Sequence, residues 1–337
     1  MTVDYKMNES HAFQVSHKKG VFGIEVEVEG NNLPTEDHKA LWKVTKDGSL
    51  RGEANEYILK RPLELGEAKF AVEHLGNLLA NSQLHMSFRT SVHVHINIQN
   101  MYITQLKRFI YVSFLLENLL AEFSGEGRVG NRFCLRVCDA EYQIAMIKAC
   151  ISAAGTIPRF MNEECKYAAI NLVPIRTQGS VEFRTMQGTT DSDTINTWLE
   201  ILNKIYKFAL SDSRSCKELS DLVVASPSKF LEEVMGELSN LLKFKGYEEA
   251  IKESEELLFA AIADEVVYDR KAGEQKEAEL KQDVQKELRN HVAALNAWDG
   301  PVAPYAPPAL RKMAKIIMDD IEPREIDLNG PEGEFPF

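Results

Sequence analysis

The sequence predicts an α+β protein built on a largely antiparallel sheet, and three observations carry that reading. Several short segments alternate apolar and polar residues, as strands with one buried and one open face do. Longer segments place apolar residues at three- and four-residue spacing, the mark of helices packed on a core. The two kinds follow the order strand-strand-strand-helix-strand-helix-helix-strand-strand-helix, which lacks the βαβ alternation of a parallel sheet. Helices are therefore expected on the apolar face of the sheet, with its polar face left open.

Residues 1–19 are polar through Lys19 and read as a flexible leader. Phe22-Gly23-Ile24-Glu25-Val26-Glu27-Val28-Glu29 sends four apolar side chains one way and three carboxylates the other, so a strand is expected near 21–29. Strands near 40–46 and 56–61 flank the turn Asp47-Gly48-Ser49-Leu50. A helix over about 66–81 leads to a strand over 91–99, whose alternate positions His93, His95, Asn97 and Gln99 are all polar. Residues 103–123, with Ile103, Leu106, Phe109, Ile110, Leu116, Leu119, Leu120 and Phe123, predict one long buried helix. A helix near 140–153 precedes strands near 166–173 and 180–186. Ile195, Trp198, Leu199, Leu202, Ile205, Tyr206 and Ala209 then form a regular helical stripe, capped by Asp191 or Ser192. These elements delimit a core at 20–210. Residues 211–298 read as a Glu- and Lys-rich helical extension, broken at Ser226-Pro227 and near Gly246. Residues 299–337 form a Pro-rich tail that holds seven of the twelve prolines and ends acidic.

With 337 residues, 44% of them hydrophobic, the chain can bury a substantial core. A net charge of −12 argues against a nucleic-acid partner, which needs a basic surface, yet leaves room for a local phosphate pocket. No apolar run approaches membrane-spanning length, and no secretory signal precedes the five cysteines. Reduced thiols and a cytoplasmic location are the expectation. Cys134 and Cys138 have the spacing of a zinc half-site but no second cysteine pair accompanies them.

The polar strand faces carry the chemistry. A solvated face normally mixes Thr, Lys, Ser and Glu; here Glu25, Glu27, Glu29, His93, His95, Glu182 and Arg184 dominate. Clustered carboxylates repel unless cations offset them, so a hard metal ion is one reading and an exposed face opposed by basic residues the other. A lone His-x-His suits amidohydrolase barrels and cupins, but both need further ligands that do not follow here. Gly125-Glu126-Gly127-Arg128-Val129-Gly130 has dinucleotide-binding spacing but follows a helix, and so reads as a loop. A Walker-type phosphate loop is missing, so a nucleotide would be held by metal and arginine. Asp47 reads either as a turn-former or as a metal ligand. Glu29 points the same way as Glu25 and Glu27 but lies beyond them. Strict alternation puts Lys166 and Asn171 on opposite faces.

The run Gly23-x-Glu25-x-Glu27, Asp47-Gly48-Ser49-Leu50, Glu56, Pro62, His93-x-His95, Lys166-Tyr167, Asn171 and Val181-Glu182-Phe183-Arg184 resembles the amidoligases, found in bacteria and phages. These belong to the carboxylate–amine ligase superfamily with glutamine synthetase and glutamate–cysteine ligase. The resemblance covers about 20–210 and implies a glutamine-synthetase-like sheet whose concave polar face binds ATP and Mg²⁺, with Mn²⁺ as a substitute. It implies an amide or isopeptide bond formed through an acyl phosphate. Glu25, Glu27, Glu56, Glu182 and His93 would then ligate metal. Arg184, Glu182 and His93 would take part in the chemistry, and Arg184, Arg132, Lys166 and His95 would hold nucleotide. Arg132 and Lys166 read equally well as surface charge. The substrates would be a carboxylate and an amine, either small molecules or groups on a protein or peptide, and a homo-oligomer is compatible with all of this. Two rival readings stand: a metal-dependent hydrolase or transferase on the same face, and a non-catalytic binding protein descended from the ligase fold.

Overall fold

Alternation in the strand segments becomes one antiparallel sheet in a computed structural model of the chain. The structure describes residues 2–4, 6–7, 18–38, 41–125, 127–140, 142–152, 167–263, 265, 268–269, 278–279, 282–283 and 285–286. In chain order the elements are β1 (Thr2–Val3), β2 (Phe22–Asn31), β3 (Trp42–Thr45), β4 (Ala54–Leu59), α1 (Leu65–Leu79), β5 (Gln83–His85) and β6 (Val92–Asn97). Next come α2 (Ile103–Leu115), α3 (Glu117–Phe123), α4 (Tyr142–Ser152), β7 (Ile170–Asn171), α5 (Pro174–Thr177) and β8 (Ser180–Phe183). The last are α6 (Ser192–Ser211), α7 (Cys216–Ala225), α8 (Pro227–Met235), α9 (Tyr247–Ile262) and β9 (Tyr268–Asp269). The main sheet runs β3-β4-β2-β6-β8-β7, every pairing antiparallel, and β5 adds to the far end of β2.

One face of this sheet is buried by helices. Ile24, Val26 and Val28 of β2, Val94 and Ile96 of β6 and Phe183 of β8 share a core with Ala71, Val72 and Leu75 of α1 and with residues of α2 and α6. Phe109 of α2 meets Phe183 edge-on at 6.0 Å and Tyr206 of α6 at 6.3 Å, so three aromatic rings tie the sheet to two helices. The Trp42 indole N–H donates to the Ala71 carbonyl at 3.1 Å, which fixes the β3 edge on α1. The expected stripe of α6 is buried throughout, and Asp191 caps it by accepting the Thr194 N–H at 2.9 Å.

Several boundaries differ from expectation. The single helix expected over 103–123 is two, because Leu116 sits at φ −96°, ψ 0°, off the helical region. The break turns Glu117 inward, where its carboxylate accepts the Val137 N–H at 2.7 Å. The strand expected over 166–173 pairs only at Ile170–Asn171 among the described residues. Tyr167 and Ala169 bond Leu135 instead, and Pro174 opens α5. Lys166 lies outside the described residues. β5 was not expected; three residues are too few for a periodic signal.

Where residues of the expected leader are described, they are tied to the fold. Thr2–Val3 pairs in parallel with Tyr268–Asp269, Met7 is buried, and the Asp4 carboxylate accepts from the Thr104 N–H at 3.2 Å and its hydroxyl at 2.5 Å. Helices α7, α8 and α9 bury Leu219, Phe230, Leu231 and Leu258 in the same core as the sheet. The chain divides into two units, Met1–Lys271 and Ala272–Phe337. In the second, helical backbone is described at 278–279, 282–283 and 285–286. The tail expected over 299–337 lies outside the described residues.

Shared burial makes α8 and α9 necessary to the fold. A chain ending at Ala225 should be insoluble or unfolded by circular dichroism. The milder Leu258→Ala should lower unfolding free energy by about 2–5 kcal/mol. A soluble, cooperatively unfolding truncation would show instead that the sheet and its first helices suffice.

Candidate metal and phosphate site

The two-residue strand period puts Glu25, Glu27, Glu56, His93, His95, Glu182 and Asn171 on the face opposite the core. Register then decides which of them meet. Glu27 pairs with Glu56, Glu25 with His93, His95 with Glu182, and Glu182 with Asn171. Gly23 stands opposite His95, where a Cβ would come within 3.3 Å of the His95 Cβ, so glycine leaves the imidazole its space.

Two ligand groups result. Glu25, His95 and Glu182 each offer an atom within 4.8 Å of the others, and so do Glu27, Asp47 and Glu56. In the first group, Glu25 lies 3.3 Å from His95 Nε2 and Glu182 3.8 Å from it. Arg184 Nη1 donates to Glu182 Oε1 at 2.6 Å, and Asn171 Nδ2 donates to Glu182 Oε2 at 2.7 Å. His95 Nδ1 is fixed by the Ser180 hydroxyl at 3.1 Å. Its Nε2 is buried and makes no aligned hydrogen bond among the described residues. Held between the two carboxylates in ion-pair range, that nitrogen could meet a phosphate oxygen or exchange its proton for a metal.

His93 was expected as a metal ligand and His95 as a nucleotide contact, and register places both beside Glu25 and Glu182. Its Nε2 lies 2.6 Å from the Ser91 hydroxyl, which donates to Glu27 at 2.5 Å. Its Nδ1 sits 3.4 Å from Glu25 and 3.5 Å from Glu182. His93 thereby links the two groups, and each histidine has one nitrogen on a serine hydroxyl and the other beside Glu25 and Glu182.

The groups differ in charge balance. Burial disfavours ionisation of Glu25, but hydrogen bonds and charge from His93 and His95 outweigh it and hold its pKa well below the usual range. Burial likewise opposes Glu182, and Arg184, His95 and His93 overcome it, so its pKa is lowered. Burial opposes the His95 cation, yet Glu182 and Glu25 raise its pKa. The first group is therefore internally neutralised. In the second, burial followed by the charges of Glu25, Glu27 and Asp47 pushes Glu56 up to about 8. Glu27 is also raised, chiefly by burial. Three carboxylates lacking enough positive charge form a fitting oxygen site for a hard divalent cation.

Other expected residues fall as follows. Asp47 forms the turn, its Oδ1 accepting the Ser49 N–H at 2.5 Å, and its carboxylate lies with those of Glu27 and Glu56. Glu29 accepts the Arg51 N–H at 2.9 Å and is in neither ligand group. Arg132 is exposed with its guanidinium 4.9 Å from the Phe133 ring centroid, apart from both groups. The glycine-rich segment is a loop, with Gly125, Gly127 and Gly130 all at positive φ. From it the buried Arg128 donates to the Thr185 and Arg184 carbonyls at 2.6 and 2.5 Å, propping the backbone that carries Arg184. Nothing in the sequence signals that role. Ser91 and Ser180 were legible by extending the alternation one step before His93 and Glu182.

Beside His95 opens a cavity of about 220 Å³, lined by Glu25, Lys18, Lys60, Arg61 and Pro62 among others. A row of carboxylates with an arginine and a basic-rimmed cavity at one end could serve phosphoryl chemistry. A family model described as "putative amidoligase enzyme" matches residues 19–206. The chain belongs to this amidoligase family. No curated protein matches the chain. In this amidoligase the family match spans every residue of both ligand groups. Among the described residues no helix is long and apolar enough to cross a membrane.

The elevated pKa of Glu56 has a measurable sign. Below about pH 4.5 it is protonated in both folded and unfolded chains and costs nothing. As pH rises towards 8 the unfolded chain loses the proton first, so the metal-free fold loses stability across that window. Glu56→Gln should therefore stabilise the protein in EDTA at pH 8 and change it little at pH 5. Denaturant midpoints at the two pH values check this; an equal difference at both would contradict the assignment.

Proposed function

We propose that the chain is an ATP- and Mg²⁺-dependent carboxylate–amine ligase on a glutamine-synthetase-like fold. The observation that carries this reading is the pair of unlike groups on one sheet face: Glu25, His95 and Glu182 with Arg184, beside the undercompensated Glu27, Asp47 and Glu56. Two metal-type groups bridged by Ser91 and His93 suit an ATP-dependent phosphoryl transfer better than a single hydrolytic zinc site.

Glu27, Asp47 and Glu56 would hold one Mg²⁺, and Glu25, Glu182 and His95 another, with Mn²⁺ able to substitute. The metal would supply charge neutralisation and orientation of the phosphate oxygens. Arg184 lies beside Glu182 and would bind the transferring phosphoryl group, its planar fork holding two oxygens at once. A substrate carboxylate oxygen attacks the γ-phosphorus and ADP leaves. An amine nitrogen then attacks the acyl carbon, phosphate leaves, and the amine's proton departs with it as HPO₄²⁻. The 220 Å³ cavity beside His95 is the place for the acyl substrate, its Lys18, Lys60 and Arg61 rim attracting the carboxylate. Carboxylate and amine are either small molecules or groups on a protein or peptide. Cytoplasmic location and a homo-oligomeric assembly are consistent with this reading.

ADP release that requires both a carboxylate and an amine tests the class, with pooled amino acids and amines as substrates. ADP release with water alone would favour a hydrolase. Glu27→Gln and Glu182→Gln should abolish ligation and leave the fold intact, because each keeps volume but removes charge a hard cation needs. Arg184→Lys should lower activity at least about tenfold, about 1.4 kcal/mol at the transition state. Near-normal turnover in Arg184→Lys would reduce Arg184 to an ion-pair partner of Glu182.

A further inference from the structure

The polar row of β2 continues past the two ligand groups. Glu29 faces a second cavity, of about 440 Å³, whose wall includes Arg51, Phe88 and Arg89. The segment joining β5 to β6 carries Phe88 into solvent, where the residue is 61% exposed. One exposed phenylalanine needs no explanation. This one belongs to an ordered array.

The rings of Phe88 and Phe133 lie 6.3 Å apart and 30° from parallel. The Arg89 guanidinium covers both, 5.2 Å from one centroid and 5.3 Å from the other. Arg132 lies 4.9 Å from the centroid of Phe133, and the half-exposed Tyr167 meets the same ring edge-on at 6.3 Å. Asn131 donates to the Phe88 carbonyl at 3.2 Å and so pins the tip of the loop. Arg89 also donates to the Ser49 carbonyl at 3.1 Å. Ser49 sits in the turn of Asp47, which belongs to the Glu27 and Glu56 group. The array is thus one turn away from the undercompensated carboxylates.

Three features define what would bind. Aromatic rings interleaved with guanidinium planes hold flat π-faces by stacking and cation–π attraction. Arg89 and Arg132 lie on the rings themselves and offer charge to an anionic ligand, while Glu29 and Glu53 share the cavity wall with Arg51 and would keep its phosphates to a metal-bridged path. Distance supplies the third: Glu25 to Glu29 covers about 13 Å along the strand, the reach of a ribose with an extended triphosphate. We propose that Phe88, Arg89 and Phe133 form the stacking site for the nucleotide base. The phosphates then run along β2, past Glu27, towards Glu25 and Arg184. This rests on the ligase reading, and the direction follows from it. The reactive phosphoryl group must reach Arg184 and the cavity beside His95, so the base falls at the Glu29 end. Stacking is tolerant of base identity, so ATP and GTP should bind with similar affinity.

The test compares ATP, inorganic tripolyphosphate and 2-aminopurine riboside triphosphate on the full chain with Mg²⁺. Tripolyphosphate carries the phosphates without a base, and 2-aminopurine loses fluorescence when it stacks. Wild type should bind ATP more tightly than tripolyphosphate and quench the 2-aminopurine nucleotide. Phe88→Ala should weaken ATP binding at least about fivefold, abolish quenching and leave tripolyphosphate binding unchanged. Phe88→Trp should retain ATP affinity and quenching. Tripolyphosphate binding doubles as the check that each variant is folded. Equal wild-type affinity for ATP and tripolyphosphate would overturn the platform and leave the ligase reading standing. So would quenching and unchanged ATP affinity in Phe88→Ala. Failure of wild type to bind either polyphosphate would overturn the ligase reading and the platform with it.

Discussion

Glu27 and Glu56 face each other across neighbouring antiparallel strands, and Asp47 reaches within 4.8 Å of both. Two unit charges at such a distance repel by about 3–4 kcal/mol at an effective dielectric of 20. That is a sizeable part of the roughly 5–15 kcal/mol by which domains are stable. The fold relieves it by letting Glu56 keep a proton near neutrality. A proton is a poor substitute for a divalent cation, which could offset all three carboxylates at once. The register that creates the repulsion therefore also creates the affinity, and much of the rest of the molecule serves to hold that register.

Several features hold it. A one-residue slip of β2 would turn Ile24, Val26 and Val28 out of the core and Glu25 and Glu27 in, at a cost of tens of kcal/mol in lost apolar burial and buried charge. Gly23 admits His95 at the one point where a side chain would crowd it. Asn97 donates to the Lys18 and Gly20 carbonyls at 2.9 and 2.8 Å, fixing the chain as it enters β2. Arg128 anchors the far strand by the backbone next to Arg184. Behind the sheet, Phe109, Phe183 and Tyr206 make the apolar face rigid. The α8 and α9 helices lie far from the ligands in sequence but share this core.

Alternation is a local property, so the sequence exposed those parts of the site that lie on strands. Glu25, Glu27, Glu56, His93, His95, Glu182 and Arg184 could be read from it. What alternation cannot give is register. Placing His93 and His95 needed to know that Ser91 holds the first, that Ser180 holds the second, and that Glu25 and Glu182 lie beside both. Asp47 and Arg128 sit in turns, where direction is set by tertiary contacts; Asp47 was legible only as two alternatives, and Arg128 not at all. The break at Leu116 was hidden for a similar reason. Its residues are apolar on both sides, so the stripe runs on while the backbone departs from it. Lys166 and the expected tail lie outside the described residues.

The charge distribution has a final consequence for how the two halves of the row differ. The Glu25 group brings its own positive charge in His95 and Arg184, so a metal arriving there would compete with them for the carboxylates. The Glu27 group faces no such competition, apart from the proton on Glu56. A cation should therefore settle first over Glu27, Asp47 and Glu56. Its arrival would reduce the negative potential that could draw a second metal to Glu25. Occupation of the second position then needs an additional anion to draw it in. A triphosphate bridging both groups supplies that anion, and the same charge would draw Arg184 away from Glu182 and onto phosphate. Ion-pair exchange of this kind would let the Glu25 group stay neutralised until a nucleotide arrived, while the Glu27 group waits for its cation.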